Sequence, residues 1–419
     1  MHHFTEINGE LYCESVAIEE IAAQVGTPFY LYSHATLLQH FHAFDGAFDG
    51  VPHITCFSMK SNSNMAILRL FGREGGGVDI VSGGELYRAL KAGIEPQRIV
   101  YSGVGKSREE LFYALKSDIL MFNVESSQEL HMLDEVGKEL GKKAPVAIRI
   151  NPDVDPQTHP YISTGLKENK FGIDIRKSVE EYTVAAGLQY VDVAGLSCHI
   201  GSQLTKVSPF VDALKRLNGL IEELENAGVS IRYLDLGGGL GITYDEELPP
   251  SPKIYADALR QELRKRDMTL ILEPGRVIMG NAGILVTRVL YTKLSEKNFI
   301  IVDAAMNDLM RPSLYGSYHR IVSVKQAGDN TIKADVVGPI CESGDYLAKD
   351  REMPLFKQGD LMAVMSAGAY GFSMSSTYNS RPRVAEVMVK EGDFYIIRDR
   401  ETYEDLIRGE KIPPFLNEK

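Results

Sequence analysis

Lys60 closes the apolar run at residues 53–59 and is followed by the polar stretch Ser61-Asn62-Ser63-Asn64. A lysine at the tip of a buried strand can have its ammonium partly desolvated, which lowers its pKa and frees a neutral amine to form a Schiff base with an aldehyde. Three further groups suit the same kind of ligand. The run Gly237-Gly238-Gly239-Leu240-Gly241 offers backbone N–H groups that can close around a phosphate. Glu273, in Glu273-Pro274-Gly275-Arg276, can face a ring nitrogen and keep it protonated, and His199, between Cys198 and Ile200, can lie flat against a planar ring. Each has a plainer reading: a solvated lysine, a glycine turn with φ > 0, a carboxylate in an ion pair, a satisfied core histidine. Jointly they converge on a phosphorylated pyridine aldehyde, pyridoxal phosphate.

That chemistry requires the four to meet at one place. Between about residues 50 and 280 the chain alternates short β-branched runs with helical stretches, the pattern of parallel βα units. The runs lie at 53–59, 78–82, 98–103, 119–124, 145–150, 194–200, 233–239 and 270–275, and amphipathic stretches at 84–92, 108–116, 128–140, 209–227 and 254–266 fall between them. Eight units predict an α/β fold, a closed (β/α)8 TIM barrel. In such barrels the chemistry sits at the C-terminal ends of the strands. Lys60 ends the first run, His199 and Gly201-Ser202-Gln203 the sixth, the glycines the seventh, and Glu273 to Arg276 the eighth, so all are expected on one rim.

Beyond residue 284 the pattern changes to strands divided by turns, at 284–292, 299–304, 332–338, 361–367 and 384–398, the last folding back at Glu391-Gly392-Asp393. The N-terminal segment through Phe29-Tyr30-Leu31-Tyr32 precedes the first barrel unit and is expected to join this second, mostly β domain. The expected division is a barrel over 33–283 and a discontinuous β domain over 1–32 and 284–419.

Composition narrows the function class. With 419 residues, 44% hydrophobic and 24% charged, the chain is ordinary globular protein with room for two domains. A net charge of -12 argues against nucleic acid as a partner while leaving local anion pockets open. The four cysteines, Cys13, Cys56, Cys198 and Cys341, are scattered with no CxxC pair, so neither a disulfide framework nor a zinc knuckle is expected, and a reducing cytoplasm fits. The N-terminus lacks a basic segment followed by an apolar one, and apolar stretches elsewhere are too short to span a membrane.

The segments Phe57-Ser58-Met59-Lys60-Ser61-Asn62, His199-Ile200-Gly201-Ser202-Gln203, Gly237-Gly238-Gly239-Leu240-Gly241, Glu273-Pro274-Gly275-Arg276 and Cys341-Glu342-Ser343-Gly344-Asp345 resemble, in order and over nearly the whole chain, the alanine-racemase-fold pyridoxal phosphate decarboxylases. More narrowly, they resemble the diaminopimelate decarboxylases. One departure is Ser61, where that family more usually has alanine.

The resemblance implies roles. Lys60 would carry the cofactor covalently, His199 would stack on its ring, and Glu273 would pair with the ring nitrogen. Ser202, Gly238, Gly239, Gly275, Arg276 and Tyr370 would hold or line the phosphate. Cys341 would return a proton after CO2 leaves. Arg276, Arg311 and Tyr315 would hold the distal carboxylate of meso-diaminopimelate, Glu342 would meet its distal ammonium, and Tyr370 would also line the substrate. A bidentate guanidinium suits a second carboxylate, which ornithine-type substrates lack. The family further implies L-lysine as product, as the last step of lysine biosynthesis, and a homodimer in which Cys341, Glu342 and Tyr370 of one chain complete the partner's site. A decarboxylase of another charged amino acid, a racemase and a non-catalytic carrier of the cofactor remain alternatives. Glu273 speaks against the racemase, because a carboxylate at the ring nitrogen favours loss of CO2.

Overall fold

Strands buried on both faces read as continuous apolar runs, and eight such runs build one of the two units of this computed structural model, Leu37–Gly280. The structure describes residues 2–154, 170–263, 267–326, 328 and 330–416. The strands are β1 His53–Ser58, β2 Gly77–Ile80, β3 Ile99–Tyr101, β4 Met121–Val124, β5 Ala144–Asn151, β6 Val191–Ser197, β7 Tyr233–Asp235 and β8 Thr269–Leu272. Each pairs in parallel with the next, and β8 pairs with β1, which closes the ring. Cys56, Val100, Met121, Ala147 and Ile271 form a buried apolar cluster within it.

Helices follow the strands, and serine or asparagine caps start several of them. Asn64, Ser82, Ser107, Ser126 and Ser251 each accept a backbone N–H of the first turn, satisfying a donor the helix itself cannot. Such caps fix where each helix begins, and hence how long the preceding loop on the rim is. The helix expected over 254–266 is found at Pro252–Glu262, and its last three expected residues, 264–266, lie outside the described residues.

The other unit comprises Met1–Thr36 and Asn281–Lys419. Its main sheet runs in the order Tyr346–Pro354, Thr331–Val337, Asn298–Val302, Gly283–Lys293, Phe29–Ser33, Ala385–Lys390, Asp393–Arg398. Leu361–Val364 adds alongside Gly283–Lys293 and pairs with Ile321–Ser323. The strand from the N-terminal segment is therefore central: Phe29–Ser33 lies antiparallel to Gly283–Lys293 and parallel to Ala385–Lys390. Phe29, Leu31, Ile284, Val286, Val387 and Val389 carry the core beneath it. Tyr346–Pro354 was not expected from sequence, because its charged residues interrupt the apolar pattern; it is held by its antiparallel pairing with Thr331–Val337. Among the described residues, no helix is long and apolar enough to cross a membrane.

Candidate active site

Lys60 lies in a short 3-10 turn, Met59–Ser61, immediately beyond β1, and Glu273 lies immediately beyond β8. Because β8 and β1 are parallel neighbours, both residues leave the barrel at the same end. Contacts continue round this rim. Ser58 N donates to Pro274 O at 3.0 Å and Glu273 N to Gly237 O at 2.8 Å. Gly238 N donates to His199 Nδ1 at 3.1 Å, and Arg276 Nη2 to Ser202 Oγ at 3.0 Å. Lys60, His199, Ser202, Gly238, Gly239, Glu273, Gly275 and Arg276 are thus gathered on the C-terminal rim.

The mouth is rich in buried acid. Asp79 on β2, Asp235 on β7 and Glu273 are 1%, 1% and 6% exposed. Asp79 accepts Ser58 Oγ at 2.8 Å and sits 3.5 Å from Lys60 Nζ. Asp235 accepts Asn123 Nδ2 at 2.7 Å and the Gly237 N–H at 2.8 Å. Glu273 lies 3.4 Å from each of Ser102 Oγ and Asn123 Nδ2, and its carboxyl is hydrogen-bonded to that of Asp235. Burial, then the negative charges of Asp235 and Asp79, push the Glu273 carboxyl well above the usual carboxylate range, and burial raises Asp235 as well. A positive group entering beside Glu273 relieves that repulsion.

His199 is held neutral. Burial first, then the charges of Lys60 and Arg149, keep its imidazole well below the ordinary histidine range. Since Nδ1 accepts the Gly238 N–H, the single ring proton is on Nε2. The ring is consequently an uncharged flat surface with a fixed orientation.

The glycine run is demanded by close backbone approach. A Cβ on Gly238 would lie 2.0 Å from Glu273 O, and one on Gly239, whose φ is 118°, 2.4 Å from Gly201 O. The Gly238 N–H is already given to His199, so this glycine acts by letting the strand ends pack rather than by free donation. Arg276, buried, divides its guanidinium between Ser202 Oγ and Tyr244 Oη, the latter at 2.6 Å.

The remaining expected residues are in the β unit. Arg311 opens the short helix Arg311–Tyr315, is buried, and donates to Ser317 Oγ at 3.1 Å; Tyr315 ends the same helix half-buried. Cys341 is an exposed free thiol whose backbone N–H donates to Asn379 Oδ1 at 2.9 Å. Glu342 is exposed and accepts Tyr378 Oη at 2.9 Å. Asp345 ties these segments together, accepting Met306 N and Ile340 N at 2.7 Å each, while Ser313 Oγ donates to Gly344 O at 2.6 Å. Tyr370 is half-buried with a left-handed φ of 56°, a conformation that costs a tyrosine energy and that its surroundings must enforce.

Residues 34–280 match the family model described as pyridoxal-dependent decarboxylase, pyridoxal binding domain. The diaminopimelate decarboxylase of Pseudomonas aeruginosa is 52% identical over 415 residues, covering 99% of this chain and 100% of its own length. The chain belongs to the diaminopimelate decarboxylase family. Among solved structures, the diaminopimelate decarboxylase of M. jannaschii in complex with L-lysine superimposes with a TM-score of 0.94 at 38% identity, covering 99% of this chain and 100% of that one. That of Helicobacter pylori complexed with L-lysine gives 0.91 at 44% identity, covering 93% of this chain and 98% of that one.

Pyridoxal phosphate is the cofactor of this decarboxylase family, and the rim suits it. Burial and the charges of Asp235 and Asp79 oppose ionisation of Glu273, a balance that a pyridinium N–H would relieve, and the neutral His199 ring offers a flat face. Sequence reasoning overlooked Asp79, Asn123, Asp235, Ser102 and Tyr244. The signal was available: Val78-Asp79-Ile80, Phe122-Asn123-Val124 and Leu234-Asp235-Leu236 each set one acid or amide inside an apolar strand, where burial without purpose is costly.

Proposed function

We propose that this chain decarboxylates meso-2,6-diaminopimelate to L-lysine and CO2, the last step of lysine biosynthesis, with pyridoxal phosphate carried on Lys60. The observation that carries the reading is Glu273, a buried carboxylate at the same barrel end as Lys60 whose ionisation burial and two other acids oppose. When bound, the cofactor supplies an electron sink for the pair left as CO2 departs.

The residues then divide the work. Lys60 tethers the cofactor, and Asp79, 3.5 Å from its amine, orients it. Glu273 holds the proton on the ring nitrogen, and His199 covers one ring face without adding charge. Ser202, Gly238, Gly239, Gly275, Arg276 and Tyr370 form the phosphate cup. Arg311 and Tyr315, with Arg276, grip the substrate's distal carboxylate, Glu342 meets its distal ammonium, and Tyr370 lines the substrate. Cys341 donates the proton that replaces CO2.

The working unit is proposed to be a cytoplasmic homodimer, in which the loop of Cys341 and Glu342, with Tyr370, completes the barrel mouth of the partner chain. The test offers the protein, with pyridoxal phosphate, meso-diaminopimelate, ornithine, arginine and lysine in turn, and follows CO2. Release from meso-diaminopimelate alone is expected. Release from ornithine but not from meso-diaminopimelate would overturn the substrate assignment.

A further inference from the structure

Asp235 is the last residue of β7, and it is more closely held than Glu273 beside it. Its Oδ1 takes the Gly237 N–H at 2.8 Å and its Oδ2 takes Asn123 Nδ2 at 2.7 Å. The same Asn123 amide lies 3.4 Å from Glu273 Oε1 and 3.0 Å from Ser102 Oγ, which is itself 3.4 Å from Glu273 Oε1. The amide thus holds Asp235 closely and reaches Glu273 only at long range, while the two carboxyls also meet each other in a side-chain hydrogen bond. The loosely held acid is the one assigned above to the ring nitrogen.

Two carboxylates this buried and this close do not both stay ionised without a cation between them. The groups that face the pair set the balance. Lys60, beyond β1, favours the ionised form of Glu273, while Asp79 on β2 opposes ionisation of both. Cys56, Cys198 and Tyr255 turn only uncharged groups toward Asp235, since burial raises all three. Asn123 Oδ1 is buried and has no hydrogen-bond partner among the described residues, so this amide acts at the mouth through its nitrogen, which it divides between Asp235 and Ser102.

We propose that Asp235 is a positioning residue for Glu273: through Asn123 and one shared proton it holds that carboxylate toward the ring nitrogen and keeps the nitrogen protonated. The inference rests on the cofactor arrangement proposed above. In the cofactor-free protein one proton is shared by Asp235 and Glu273. With the cofactor bound, Asp235 and Glu273 would hold that proton at the ring nitrogen as its N–H, and both carboxylates would then be ionised against the positively charged ring. Asp235 never touches the ring, and its charge acts through Glu273.

The experiment loads the enzyme with pyridoxal phosphate labelled with 15N in the ring and reads the nitrogen chemical shift, which reports its protonation directly, from pH 6.5 to 8.5. The unaltered enzyme is expected to hold the pyridinium value throughout. In Asp235→Asn the shift moves toward the unprotonated value within that range and cofactor affinity falls about tenfold, the equivalent of one pKa unit, while Asp235→Glu restores both in part. Asn123→Ser, which removes the bridge and leaves both acids, is expected to move the shift in the same direction. It decides the matter should Asp235→Asn not fold. Retention of the pyridinium shift in every Asp235 and Asn123 variant that folds would overturn the inference. Glu273→Gln separates the two levels. If it loses the pyridinium while the Asp235 and Asn123 variants keep it, only the role of Asp235 fails; if it keeps the pyridinium, the assignment of Glu273 itself fails.

Discussion

Asp345 receives the backbone N–H groups of Met306 and Ile340 on its two oxygens, 2.7 Å each, and so joins the segment that leads to Arg311 to the loop that carries Cys341. Replacing it with alanine leaves two donors without their acceptor. Asp345→Ala is expected to lower the stability of the β unit by about 2–4 kcal/mol, and to impair substrate capture and turnover together. Chemical denaturation alongside steady-state kinetics checks both. An unchanged denaturation midpoint would show that the two loops are held by other contacts.

Arg311 is buried, and its variant should act on binding. Arg311→Ala is expected to raise KM for meso-diaminopimelate, with a loss of about 2–5 kcal/mol for a desolvated charge pair, and to leave cofactor loading intact. Initial-rate kinetics and a cofactor titration separate the two. An unaltered KM would remove Arg311 from the substrate pocket.

Lys60→Ala should lose the cofactor that borohydride reduction fixes to the chain. Mass spectrometry of the reduced protein reads this directly, and a covalent adduct persisting at another lysine would reject Lys60 as the tether.

The proposed sharing of sites between two chains predicts complementation. Lys60→Ala and Cys341→Ala, each inactive alone, should recover roughly a quarter of the normal rate when dissociated and remixed one to one, because half the dimers are then mixed and each mixed dimer has one intact site. No recovery, from variants that sediment as dimers, would place both residues of a site on one chain.

Asp308 gives the β unit a pH dependence. Burial, above all, raises its carboxyl to about 7, although it accepts the Ala305 N–H at 3.0 Å. The folded state thus binds a proton that the unfolded chain has released above about pH 4. The stability this proton brings is complete below that pH and is lost as pH rises through about 7, by up to roughly 4 kcal/mol. Asp308→Asn should flatten the change in denaturation midpoint between pH 5 and 8. An equally steep profile in that variant would assign the dependence to another group.

The barrel was legible because parallel strands covered on both faces are nearly unbroken apolar runs, and eight of them can be counted. The rim followed from strand polarity, since Lys60, His199 and Glu273 each stand at or just past the end of a run. What sequence did not disclose were the polar residues inside those runs. Asp79, Asn123 and Asp235 read as strand interior, because their orientation toward a common mouth depends on barrel closure, and nothing local encodes it. The Gly238 N–H illustrates the same limit. A glycine run suggests a phosphate cradle, yet this donor is taken by His199, a partner 39 residues away. Tyr346–Pro354 escaped because its Lys349, Asp350, Arg351 and Glu352 hide a strand that its neighbour Thr331–Val337 holds in place.

The central place of Phe29–Ser33 between Gly283–Lys293 and Ala385–Lys390 sets an order of assembly on the ribosome. The segment is made early, but its second flanking strand emerges some 357 residues later, which at about 5–20 residues per second is a wait of roughly 20–70 s. Until Gly283–Lys293 emerges, a stretch of Phe, Tyr, Leu and Tyr has neither flanking strand, and it stays open on its other edge until Ala385–Lys390 follows, while every strand of the barrel is already available to fold. The nascent chain therefore has a time window in which its opening residues are the natural target of a chaperone, and faster completion of the last hundred residues would shorten that exposure.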